Sequence, residues 1–121
     1  KKGMLMYFDG YVLPVPKKNL DAFKEMATLA GKVCMDHGAL SYVECVAEDV
    51  KPGVHTSFPQ AVKLEEDEVV IFSWITYKSR EDRDRINAAV MKDPRLSGSP
   101  ETMPFDGKRM FWGGFVPLVQ F

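Results

Sequence analysis

Asp9 and Glu44 are the side chains whose setting in this sequence could do chemistry. Each is a carboxylate inside an otherwise apolar and aromatic run, Met6-Tyr7-Phe8-Asp9-Gly10-Tyr11-Val12-Leu13 and Leu40-Ser41-Tyr42-Val43-Glu44-Cys45-Val46-Ala47. Burying a carboxylate is costly unless it is paired or hydrogen-bonded. Two outcomes follow. The groups can pair with Arg83, Arg109 or backbone groups, at strand ends or across a subunit interface. If they stay unpaired, desolvation favours the neutral acid, raises the pKa and suits the group to exchange protons near neutral pH. Ser73 is a third polar residue in an apolar strand. A small-molecule site is therefore expected near Asp9 and Glu44, on the sheet face away from the helices. Trp74 or Trp112 would form its apolar wall, and His55, in a long loop, its lid. Trp74, Trp112, Phe111 and Tyr42 equally suit a core or a subunit interface, because rings of this size supply most of the area such surfaces bury. A one-residue slip in register would send either carboxylate to the opposite face.

Other chemistries find no support. His37, His55, Cys34 and Cys45 match no metal-site spacing, so no metal and no cofactor are implied. Phe72-Ser73-Trp74 is not a nucleophile elbow, and no histidine accompanies a serine in a recognisable motif. Gly113-Gly114 falls within a strand with no helix behind it, which excludes a phosphate-binding loop. Arg80, Arg83, Arg85, Lys108 and Arg109 alternate with Glu81, Asp82, Asp84 and Asp106, the pattern of a solvated mixed-charge surface.

The elements that must position these residues follow from periodicity. Met6 to Leu13 reads as a strand closed by Pro14 and Pro16. With Asn19 as N-cap, Leu20, Phe23, Ala27, Ala30 and Cys34 recur at helical spacing until Gly38. Leu40 to Ala47 is a second strand, and a long loop follows with a helical turn near Gln60 to Val62. Val69 to Tyr77 is apolar throughout and so reads as a central strand covered on both faces. Ser79 caps a second helix that turns Ile86, Ala89 and Val90 inward, carries Arg80/Asp84 and Glu81/Arg85 as exposed pairs, and ends at Asp93-Pro94. A polar stretch from Ser97 to Pro100 and an Asp106-Gly107 turn lead to a fourth strand, Arg109 to Val116.

The order strand, helix, strand, strand, helix, strand is the split arrangement of a ferredoxin-like α+β fold with an antiparallel four-stranded sheet. Two helices cover one face of such a sheet, yet the strands carry large apolar residues at both parities. A second copy of the chain is the expected cover, giving a two-fold dimeric α+β barrel. The 121 residues form one domain, and a 45% hydrophobic, 27% charged composition is that of an ordinary globular protein. A formal charge of -1 gives no field to condense the chain on nucleic acid or an anionic membrane. No apolar run is long enough to span a bilayer, and Asp9 comes too early for a signal peptide, so a cytoplasmic protein with two free buried thiols is expected.

The segments Tyr7-Phe8-Asp9-Gly10-Tyr11-Val12, Gly38-Ala39-Leu40, Val43-Glu44-Cys45, Phe72-Ser73-Trp74, Asp93-Pro94-Arg95 and Met103-Pro104-Phe105-Asp106-Gly107-Lys108-Arg109-Met110 resemble the YbaA family of small bacterial proteins. The resemblance covers nearly the whole chain. It implies a dimeric α+β-barrel protein of a family classed as a domain of unknown function, and it transfers no catalytic residue. Two classes of function remain: a barrel that holds a small apolar or aromatic molecule, or a filled barrel serving as a dimeric interaction or stress-associated module. A cavity above about 300 Å³ with converging polar groups separates the first from the second.

Overall fold

A computed structural model describes residues 6–97 and 103–121. Its sheet has the order β2-β3-β1-β4, from β1 (Tyr7–Pro16), β2 (Ser41–Val46), β3 (Glu68–Tyr77) and β4 (Phe111–Phe115), with every pairing antiparallel. Two long helices, α1 (Leu20–Asp36) and α3 (Arg80–Met91), pack on one face. A single turn, α2 (Phe58–Ala61), lies in the β2–β3 connection, starting two residues before the turn expected near Gln60 to Val62. This is the expected ferredoxin-like α+β architecture. Among the described residues no helix is long and apolar enough to cross a membrane.

Several boundaries differ from expectation for local reasons. β1 runs through both prolines to Pro16. Lys17 N–H donates to Asp67 O, so odd residues of β1 bond toward β3 and even ones toward β4. β4 pairs only with Phe8 to Val12 of β1, which leaves the missing N–H groups of Pro14 and Pro16 on a stretch of edge that β4 does not bond. Asn19 precedes α1 without capping it, and its side chain instead donates to Pro104 O at 3.0 Å. Gly38 closes α1 at φ +116°, a conformation that favours glycine. Ser79 caps α3 through Asp82 N–H as read, but Arg85 pairs with Asp82 rather than Glu81. β4 begins two residues later than expected, after a 3₁₀ turn at Gly107–Arg109. Of the polar stretch, Gly98, Ser99 and Pro100 lie outside the described residues, as do Lys1 to Leu5.

The core lies between helices and sheet, where Tyr77, Ile86, Cys34 and Ile75 form one cluster and Leu13, Val15, Phe23 and Ala27 another. The opposite face is partly covered from within. Val62 and Leu64 of the β2–β3 connection pack on Val12 and Val70, and Phe58 meets Phe72 edge-on. The rest of that face stays open, with Phe72, Phe111 and Phe115 exposed. Cys34 is buried and Cys45 half-buried, both as free thiols.

Candidate functional site

Strand alternation and register sort the side chains onto two chemically distinct faces. Asp9 sits opposite Ile75 and Gly114, and Glu44 opposite Ser73, so both carboxylates share the parity of the core residues. They point toward the helices and not, as expected, toward the open face. All four tyrosines of the chain, Tyr7, Tyr11, Tyr42 and Tyr77, lie on this same side, whereas Phe8, Phe72, Phe111 and Phe115 occupy the other. Trp112 joins the helix side, stacked on Tyr11 with centroids 5.8 Å apart. Trp74 is on the open side against Phe72, and exposed His55 reaches neither carboxylate. The expected grouping of Asp9, Glu44, Trp74, Trp112 and His55 is therefore divided: Asp9, Glu44 and Trp112 share the helix-facing side on three different strands, with Glu44 and Trp112 on opposite edges of the sheet, and the other two lie elsewhere.

Asp9 is wholly buried, and its Oδ1 accepts from Arg83 Nη1 at 2.7 Å. The same guanidinium lies 4.9 Å above the Tyr7 ring and 5.8 Å from that of Trp112, while its Nε donates to Asp84. Burial pushes the Asp9 carboxyl above its ordinary value, and the Arg83 charge pulls it partly back. Arg83 is thus the partner that a buried carboxylate requires and no part of a solvated surface. Arg109 is likewise inward, forked onto Glu68 with two bonds of 2.7 Å and onto Asp106. It does not reach Glu44.

Among the described residues no cation pairs with Glu44. Its Oε2 accepts from Tyr42 O–H at 2.7 Å, and the Ser73 hydroxyl, directly opposite in the β2–β3 register, is the donor beside its buried carboxyl. Burial pushes this carboxyl up, against the opposing pull of the Tyr42 and Ser73 hydroxyls. Tyr11, between the two carboxylates, is pushed up to about 12, first by burial and then by the charge of Asp9. Gly31 of α1 holds Tyr42 in place: a Cβ there would lie 2.8 Å from the ring, so only a bare backbone lets the phenol pack flat on the helix.

Glu44 and Tyr42 line two spaces at once. Outside is a cleft of about 750 Å³ between α1 and the edge strand β2, walled by Phe23, Ala27, Met35 and Ile71 with Lys24 and Lys32 at its mouth. Inside is a smaller cavity of about 240 Å³ reaching Tyr11, Cys34 and Ser73. Among the described residues no three His, Cys, Asp or Glu side chains gather closely enough to hold a metal ion.

Sequence reasoning missed the His37–Asp93–Arg95–Asp36 cluster, which ties the end of α1 to the turn after α3. It also missed that the four tyrosines share the helix-facing side with both carboxylates. The signal was present in the alternations Tyr7-x-Asp9-x-Tyr11 and Tyr42-x-Glu44, which place those side chains together whichever face they take.

Residues 6–107 match the family described as a protein of unknown function, DUF1428. The chain belongs to the DUF1428 family. Its relatives include the uncharacterized protein YbaA of Escherichia coli K12, 50% identical over 115 residues that cover 95% of this chain and 98% of that one. Among solved structures it resembles a Bacillus cereus protein provisionally named an antibiotic biosynthesis monooxygenase, with TM-score 0.58 and 10% identity over 97% of each chain. It also resembles a dimeric ferredoxin-like protein from an uncultured marine organism, with TM-score 0.55 and 11% identity over 96% of this chain and 99% of the other. At such identities these likenesses show the fold alone, and in this DUF1428 chain the fold is ferredoxin-like.

Proposed function

We propose that this protein is a cytoplasmic homodimer that binds a small, largely apolar molecule in the cleft between α1 and β2. The observation that carries the reading is the apolar-walled cleft itself, about 750 Å³ and so large enough for a drug-sized ligand, with the half-buried carboxylate of Glu44 in its lining. A single convergent polar group in an apolar recess is the usual means of orienting a small ligand. This moves the ligand from the barrel interior to the helix side of each protomer. The Phe-rich open face is then free to close against a second copy, a reading supported by the dimeric ferredoxin-like neighbour. The cytoplasmic location rests on the free thiols of Cys34 and Cys45. Oxygen chemistry is not carried over from the neighbour named a monooxygenase.

Native mass spectrometry of protein purified gently from cells tests the binding. A retained small molecule is expected in the wild type and lost in Ala27→Trp, which fills the cleft. Retention in that variant would place the ligand elsewhere, and a wild type that also binds no added apolar compound would overturn the reading.

A further inference from the structure

Large and small side chains alternate on the open face in a pattern that fixes how a second copy sits on it, provided that face meets a second copy as proposed above. Strand register lays the residues of this face in rows across the sheet, in the order β2-β3-β1-β4. One row is Ser41, Thr76, Phe8, Phe115, and the next is Val43, Trp74, Gly10, Gly113. The first carries its bulk on β1 and β4, the second on β2 and β3. None of these side chains is charged.

Two glycines side by side within a sheet weaken it, and such positions mark places where another group comes close to the bare backbone. Gly31 and Gly114 have that group inside the protomer, since a Cβ at the first would press on Tyr42 and at the second on Tyr7. Gly10 and Gly113 have no such constraint among the described residues. A Cβ there would meet only the Phe115 ring, at 3.9 Å and 3.6 Å, which is ordinary contact. The pair leaves the sheet low beside the half-buried Trp74, whose ring instead leans on Phe72 with centroids 5.6 Å apart.

We infer that two copies pack these faces about a two-fold axis running along the strands between β3 and β1, which sets Trp74 of each copy over the partner's Gly10 and Val43 over the partner's Gly113. Face-packed sheets stand about 10 Å apart and share the space between them, so a large residue on one needs a small one opposite. Rotation about this axis exchanges β3 with β1 and β2 with β4. It opposes Trp74 to glycine and, in the adjoining row, Phe8 to Thr76 and Phe115 to Ser41. An axis across the strands, along the Trp74 row, would drive Trp74 against Trp74 and leave glycine facing glycine. The contact is self-complementary, as a two-fold interface must be, because the same face carries both the projections and the recess. Toward Val12 the protomer's own Val62 already covers the sheet and bounds the contact.

Two single variants of the full chain test the axis. Gly10→Leu fills the recess and Trp74→Ala removes the projection. Each is expected to dimerise about tenfold or more weakly than the wild type in sedimentation velocity, the scale of overpacking or of a lost core ring. Mixed, they should choose each other, because the new leucine then faces the new alanine at one contact and Trp74 faces glycine at the other. Native mass spectrometry should show mixed dimer above the share that random pairing gives, a preference that no contact within one protomer can produce. Should Gly10→Leu fail to fold by circular dichroism, Gly113→Val mixed with Val43→Ala repeats the test at the second contact. A wild-type dimer unaffected by the glycine variants, or variants that pair at random or not at all, would overturn the axis and leave the dimer standing. A small molecule retained in the wild-type dimer and lost in Gly10→Leu would overturn it as well, since the recess would then hold a ligand. A wild type that stays monomeric at micromolar concentration would remove both readings.

Discussion

Arg83 Nη1 donates to Asp9 Oδ1 at 2.7 Å across 74 residues of sequence, with the carboxylate fully buried and the guanidinium nearly so. Such a pair contributes little net stability when intact but is costly to break on one side, because the remaining charge is buried alone. Arg83→Leu is therefore expected to destabilise the fold by about 3 kcal/mol or more, read from urea denaturation. Arg83→Leu combined with Asp9→Asn should recover much of that loss. A single variant as stable as the wild type would show that the pair is hydrated in solution.

Gly31→Ala is expected to destabilise the protein although alanine is the better helix former. The new Cβ would lie 2.8 Å from the Tyr42 ring, and overpacking of that kind costs about 1–3 kcal/mol against roughly 1 kcal/mol returned by helix propensity. A lower urea midpoint with unchanged slope is the expected result. A raised midpoint would mean that Tyr42 moves aside freely.

Asp93 and Glu44 should respond to pH with opposite sign. Hydrogen bonds from the Arg95 side chain, its backbone N–H and the His37 ring hold Asp93 well below the usual carboxylate range. Its contribution is present above the unfolded value of 3.8 and is lost as pH falls through the lower folded value. Asp93→Asn should reduce stability at pH 7 and flatten the acid limb. Glu44, pushed up by burial, does the reverse: its folded state holds the proton more tightly, so stability declines as pH rises from the unfolded value of 4.5 through the folded one. Glu44→Gln should remove that decline, which chemical denaturation across pH 4 to 8 would detect.

Phe72 is exposed on the open face, where its ring meets those of Phe58 and Trp74. Phe72→Asp is expected to leave the protomer folded, by circular dichroism, and to convert a dimer to a monomer in sedimentation velocity at micromolar concentration. An unchanged sedimentation coefficient would place the subunit contact elsewhere.

Element order, the Ser79 cap, the Gly38 stop and the turn near Gln60 were legible in the sequence because each depends on residues within a few positions of one another. Alternation likewise determined that Tyr7, Asp9 and Tyr11 share a face, as do Tyr42 and Glu44. It could not determine which face, since a period of two is the same read from either side of the sheet. Only the packing of α1 and α3 broke that symmetry and turned both carboxylates inward. Charge pairing was decided at the same level. Arg83 and Arg109 look alike in a mixed-charge sequence, and the fold brings one to Asp9 and the other to Glu68, leaving Glu44 with the Tyr42 and Ser73 hydroxyls. Those contacts join residues far apart in the chain, and the distances that set their energies exist only once the sheet has formed.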